Sequence, residues 1–241
     1  MIRWSTIQAV TNAWSHFWKD GCQVPPHLWR RWAGTLAIGL GVCALVMFTI
    51  TIAAKGQVDQ GLQAWDENLL PVLAEQLPLN FARAITWESP GNLLGMLPIV
   101  CGFIGIMVAR SQPLLAATMA MSYGLQFALV WIGWGYWNRD RPDLIADGIA
   151  ASGLHSFPSG HIVVVITVYG LLSYLLCCAS RSWLERGLVV AATTYWLAMI
   201  VSSRLVLGAH WPSDVFVAIL IGLLWLISVI VALHRVREVW Q

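Results

Sequence analysis

Three short stretches of this sequence carry residues that could do chemistry together: Arg141-Pro142, Phe157-Pro158-Ser159-Gly160-His161, and Ser203-Arg204 with His210 and Asp214. Arginine binds phosphate oxygens through a planar, permanently charged fork. Ser159 suits a helix N-cap, where its hydroxyl can satisfy backbone amides of the first turn. Gly160 lets an anion approach the backbone at the positive end of that helix. An imidazole gives or takes a proton near neutral pH. Two of them allow one to attack phosphorus while the other protonates the leaving oxygen. Asp214 follows His210 by four positions and could fix its tautomer and stabilise its cation. Each residue also has a plainer reading. Arg141 and Arg204 could be interfacial anchors, and His161, His210 and Asp214 could be metal ligands.

The elements that must position these residues are apolar. Of 241 residues, 58% are hydrophobic and 11% charged, with 15 tryptophans, and uncharged runs reach membrane-spanning length. Six spans are expected, at about residues 32–54, 91–109, 113–134, 160–180, 187–207 and 214–233. The fold class is therefore all-α, a polytopic membrane protein of six transmembrane helices. Six crossings put both termini on one side. That side carries Arg3, Lys19, Arg30, Arg31, Arg110, Arg181, Arg186, Arg235 and Arg237, against Lys55, Arg83, Arg139, Arg141 and Arg204 opposite. The positive-inside bias places the termini in the cytoplasm and the chemical residues on the extracytoplasmic face. A net charge of +2 without a basic cluster gives no reason to expect nucleic acid as a partner.

Residues 1–31 form a cytoplasmic amphipathic segment, with Ile7, Val10, Trp14, Phe17 and Trp18 at helical spacing until Pro25-Pro26. It either lies in the headgroup region or packs on the membrane domain. The domain itself is expected over 32–233, with 234–241 as a cytoplasmic tail. The first apolar run is too long for a signal peptide and reads as a retained anchor. Between the first two spans, residues 55–90 read as short external interfacial helices, interrupted at Pro71 and Pro78, forming a cover or lid. Four of the five cysteines lie inside apolar runs, so buried, inert thiols are expected rather than a disulfide framework. Trp131, Trp134, Tyr136 and Trp137 fit an interfacial aromatic belt.

Pro158–His161 and Ser203–Asp214 together make the sequence resemble the type-2 phosphatidic acid phosphatase superfamily of integral membrane lipid phosphatases. Its signature is Lys-x6-Arg-Pro, Pro-Ser-Gly-His, and Ser-Arg-x5-His-x3-Asp. The second and third parts are complete, while the first has Arg141-Pro142 but Trp134 in place of lysine. The resemblance implies His210 as the nucleophile forming a phosphohistidine, Asp214 orienting it, and His161 as general acid. Arg141, Ser159, Gly160 and Arg204 would hold the phosphate, with no metal or other cofactor. Arg139 is the nearest basic side chain that could fill the lysine's place, if the chain leaves helical geometry before Pro142; otherwise it is an interfacial anchor or pairs with Asp140 or Asp143. The expected activity is hydrolysis of a phosphate monoester or diphosphate on a lipid in a bacterial inner membrane. Phosphatidic acid, phosphatidylglycerophosphate, undecaprenyl diphosphate and lipid A phosphates remain open as substrates, as does the oligomeric state. A lipid phosphotransferase and a non-catalytic lipid-binding protein are the alternatives.

Overall fold

The computed structural model describes residues 4–145, 148 and 155–240; Arg3, counted above in the charge bias, lies outside them. Every regular element among these residues is helical. Helix α1 (Trp4–Gln23) is followed at Pro25 by α2 (Pro26–Gln57), with proline at the first helical position, where its missing N–H costs nothing. A kinked π-helical turn at Val58–Leu62, with Gly61 at φ 117°, redirects the chain into α3 (Gln63–Gln76). Then come α4 (Phe81–Glu88), a 3₁₀ turn at Ser89–Gly91, α5 (Leu93–Ala109), α6 (Pro113–Tyr136), α7 (Gly160–Ala179), α8 (Trp183–Val206) and α9 (Pro212–Trp240).

Six helical stretches are long and apolar enough to cross a membrane. Large apolar side chains such as Ile38 and Leu45 on α2, Leu188 on α8 and Phe216 on α9 point outward, as they must where the solvent is hydrocarbon. The expected spans match in order and differ in extent. The first helix starts at Pro26, six residues before Trp32, and carries Arg30 and Arg31 in its first turns. The last runs through residues 234–240. Helix α1 packs against the ends of α5 and α6, while Trp14 and Trp18 stay exposed.

Inside the bundle, α7 and α9 pack closely, as do α2 and α9. Small residues set the approach: a Cβ at Gly39 of α2 would run into the Ser228 side chain of α9. Close backbone packing over small residues is the usual source of helix association in lipid. The core runs along α7 and α9 through Val164, Val168, Leu171, Ile221, Trp225 and Val229. Within it, the Trp225 indole N–H donates to the Ser122 carbonyl at 2.9 Å.

In residues 55–90 the expected interruption at Pro71 is absent. Pro71 lies inside α3 without ending it, and one face of that helix is buried, with Asp66 and Leu70 both 0% exposed. Leu70 joins the apolar cluster of Val130, Ile162, Val163 and Trp211. This segment is therefore part of the wall behind the motif residues.

Candidate active site

The three motif stretches meet at one end of the bundle. Helix α6 ends at Tyr136, and Trp137 is already extended (φ −129°, ψ 101°), so the chain has left helical geometry before Arg139. The chain returns through Phe157-Pro158 to α7. Gly133 makes that return possible, because a Cβ there would strike Pro158 and the Phe157 carbonyl. Helix α8 delivers Arg204 in its last turn, and Gly208, at φ 62°, turns the chain so that His210 precedes α9.

A cavity of about 430 Å³ joins these pieces; Arg141, Gly160, His161, Arg204 and His210 line it, with Glu88, Asn92 and Trp134. The rest of its lining includes the apolar or aromatic side chains of Met96, Tyr123, Phe127, Val130 and Val164. Ser159 stands at the N-cap of α7 but makes no side-chain cap bond, contrary to the expectation for its hydroxyl. Instead, its Oγ is buried and has no partner among the described residues. A buried hydroxyl without a partner is costly; Ser159 is not itself among the residues lining the cavity, whereas its neighbour Gly160 is. A Cβ built at Gly160 would make ordinary contact with Val130 at 3.4 Å and with Trp134 at 3.7 Å, and the residue itself lines the cavity.

The histidines have readable tautomers. His210 Nδ1 lies 2.8 Å from the Ser156 carbonyl, which only accepts, so Nδ1 carries the proton and Nε2 keeps its lone pair. Asp214 differs from expectation here: its Oδ2 is 3.8 Å from Nδ1, beyond hydrogen-bonding distance. That oxygen instead accepts from the Ser156 hydroxyl and from the Trp211 amide at 2.9 Å. The carboxylate thus holds the residue that holds the histidine. Burial pushes the His210 imidazole down to about 4, against the pull of Asp214, with Arg204 and Arg141 adding repulsion. Burial also lowers the Arg141 guanidinium from its ordinary value, against the attraction of Asp214.

His161 Nε2 lies 2.6 Å from Asn92 Oδ1. The Asn92 amide is itself fixed, because its Nδ2 donates to Glu88 Oε1 at 3.2 Å. Nε2 of His161 is therefore the protonated nitrogen, aimed at an oxygen. The other Glu88 oxygen is paired with Arg204 Nη1. Arg141 lines the cavity and donates to the Ala209 carbonyl at 3.2 Å. Glu88 and Asn92 thus put carboxylate and amide oxygens against Arg204 and His161.

Arg139 is the clear correction. It neither faces the cavity as a substitute for lysine nor pairs with Asp140 or Asp143. Its guanidinium is 5% exposed and sits between the rings of Trp137 and Trp211, 4.9 and 5.3 Å from their centroids. Nη1 donates to Asp214 Oδ1 at 2.7 Å and Nη2 to Asp66 Oδ2 at 2.7 Å. With four acceptors on its two terminal nitrogens, the fork is occupied by protein. Trp134, in the lysine's place, lines the cavity and donates its indole N–H to the Pro158 carbonyl at 3.3 Å. Sequence reasoning missed Glu88, Asn92, Ser156 and Asp66. Only Asp66 left a signal, a carboxylate on the helical stripe of Leu62, Leu70 and Leu73.

Comparison with known proteins bears on the family and the fold. The family model described as PAP2 superfamily matches residues 114–238. A protein of Escherichia coli K12 provisionally named undecaprenyl-diphosphatase YbjG is 28% identical over 57% of this chain and 66% of its own length. Phosphatidylglycerophosphatase B of the same organism is 39% identical over 28% of this chain and 24% of its own. The chain thus spans just under two thirds of the first relative and about a quarter of the second. Among solved structures, a transmembrane PAP2-type phosphatidylglycerolphosphate phosphatase from Bacillus subtilis superposes with a TM-score of 0.64 at 20% identity, covering 77% of this chain and 93% of that one. Aquifex aeolicus LpxE gives 0.50 at 22% identity, covering 69% and 93%. With three motif stretches meeting at one cavity and the family model spanning more than half its length, the chain belongs to the PAP2 superfamily.

Proposed function

We propose that this protein hydrolyses a phosphate monoester or diphosphate on a membrane lipid, through a phosphohistidine on His210 and without a metal. One observation carries the reading. A single cavity brings two guanidinium groups, two imidazoles of defined tautomer and a helix N-terminus together. Arg141, Arg204, the unpartnered Ser159 hydroxyl and the α7 amides hold the phosphoryl oxygens. His210 Nε2 attacks phosphorus, forming an N–P bond as the P–O bond to the lipid breaks. His161, made cationic beside the bound dianion, passes its Nε2 proton to the departing oxygen. Water then attacks phosphorus, His161 takes its proton, and the N–P bond breaks to release inorganic phosphate.

The names of the relatives support a lipid phosphate or diphosphate as the substrate class. The apolar part of the cavity lining is suited to the hydrocarbon next to the headgroup. The test is phosphate release by purified protein in detergent from a panel of glycerolipid monophosphates and polyprenyl diphosphates. Release should survive EDTA and be inhibited by vanadate, which mimics five-coordinate phosphorus. Inactivity on every member, or loss on chelation restored by a divalent ion, contradicts the reading. Transfer of label to a second lipid instead of water would make the protein a phosphotransferase.

The site faces away from the cytoplasm of a bacterial inner membrane, with both termini inside. Clustering of arginine and lysine near the opposite ends of the spans supports that orientation. In a background without native cysteines, Asp143→Cys should react with an impermeant reagent from outside and Ser182→Cys only after permeabilisation. The reverse pattern inverts the topology.

A further inference from the structure

Behind the cavity lies a second polar cluster, centred on residues outside the cavity lining. Asp66 of α3 is 0% exposed and accepts from three directions. The Ser213 amide donates to its Oδ1 at 2.9 Å, while the Ser213 hydroxyl and Arg139 Nη2 donate to its Oδ2 at 2.6 and 2.7 Å. Arg139 then reaches His210 by two routes. Through its side chain it fixes Asp214 Oδ1 at 2.7 Å, leaving Oδ2 to hold the Ser156 hydroxyl. Through its backbone carbonyl it accepts the Ser156 amide at 2.9 Å. Ser156 in turn presents the carbonyl that fixes His210 Nδ1.

We propose that Asp66 and Arg139 are positioning residues that hold Ser156, and through it His210, in the orientation and tautomer required for attack. The proposal rests on the reading of His210 as nucleophile. A carboxylate buried among apolar side chains would be expensive as a mere tether for α3. Its three donors all belong to segments that carry the site: Arg139 from the first motif stretch, Ser213 between His210 and Asp214. Residues 55–90 thereby contribute to catalysis without touching substrate. Misplacing an attacking atom by about 1 Å can cost a hundredfold in rate, so small changes here should be visible in turnover.

The experiment measures kcat, KM and the pH dependence of kcat/KM for Asp66→Asn, Arg139→Lys and Ser213→Ala on a lipid phosphate that the wild type hydrolyses. Thermal unfolding and inhibition by inorganic phosphate, the released product, are measured on the same samples. Positioning predicts that kcat of folded protein falls about ten- to a hundredfold for Asp66→Asn, with the Ki of inorganic phosphate changed less than about twofold, since none of the residues that hold the phosphate is touched. Asp66→Asn also removes a negative charge from the network and should move the acid limb of kcat/KM to lower pH, because the imidazolium loses attraction. Arg139→Lys keeps the charge but cannot reach both carboxylates, and should fall between wild type and Asp66→Asn. Ser213→Ala, which removes one of the Asp66 contacts, supplies the same readouts if Asp66→Asn does not survive extraction, with a loss of about threefold or more. Folded variants whose kcat and acid limb match the wild type overturn the proposal while leaving the phosphatase reading intact. Full activity of His210→Ala would instead remove the reading on which it rests.

Discussion

Arg139 and Arg204 are nearly equally buried, 5% and 4% exposed, yet their surroundings differ. Arg139 is enclosed by two carboxylates, a serine, a glutamine and two tryptophan faces. Arg204 borders an open cavity and is paired with one carboxylate, Glu88. Glu88 is the last residue of α4, and Arg204 lies in the last turn of α8. Burial alone therefore separates neither role; what separates them is whether the fork's acceptors are fixed parts of the fold. An arginine whose two terminal nitrogens are both engaged by the fold stabilises a geometry, whereas one facing a cavity can exchange its acceptor for a ligand.

This contrast can be broken most forcefully at Arg204. Arg204→Gln should lower kcat/KM by about ten- to a hundredfold and weaken vanadate by a similar factor, the loss of a charge-assisted contact. Equal vanadate affinity in that variant would show that Arg204, like Arg139, only supports the fold. The acid limb tests the shared electrostatics of the cavity. Because His210 is held at about 4, it stays neutral and able to attack above that value. kcat/KM should therefore be level toward acid until about pH 5 and fall roughly tenfold per unit below about 4. A limb beginning near 6.5 would mean that His210 is not buried among cations in the free enzyme.

Trp134→Lys sharpens the same comparison by adding a cation where only an indole N–H now stands. It should raise kcat/KM for a monoester by about tenfold, and no gain would mean that Arg141 and Arg204 already meet the phosphate's needs. The smallest effect belongs to Glu88→Gln. Removing the carboxylate from Arg204 should tighten vanadate about two- to fivefold, as the incoming anion no longer displaces a charged partner. Weaker binding would instead make Glu88 a support that aims the fork.

The spans and the motif residues were legible because each rests on local signals. Apolar length marks a membrane helix, and Pro158–His161 with Ser203–Asp214 keep fixed spacings next to helix ends. Arg139 was misread for want of its partners. Its direction is set by Asp66, 73 residues upstream, and no local rule pairs residues across that interval. Asp214 was expected beside His210 from four-residue spacing, but His210 precedes α9, so helical spacing does not bring the side chains together. Glu88 and Asn92 reach the cavity only because α4 is folded against α8 and the 3₁₀ turn after it against α7.

The central claim is that His210 Nε2 becomes bonded to phosphorus. Rapid quenching of the wild type with a lipid carrying labelled phosphate should trap a phosphoenzyme that is stable in alkali and labile in acid, as a phosphoramidate is. His210→Ala should lose that label and at least about a thousandfold in turnover while remaining folded. Label persisting in His210→Ala, or its near wild-type turnover, would contradict the account.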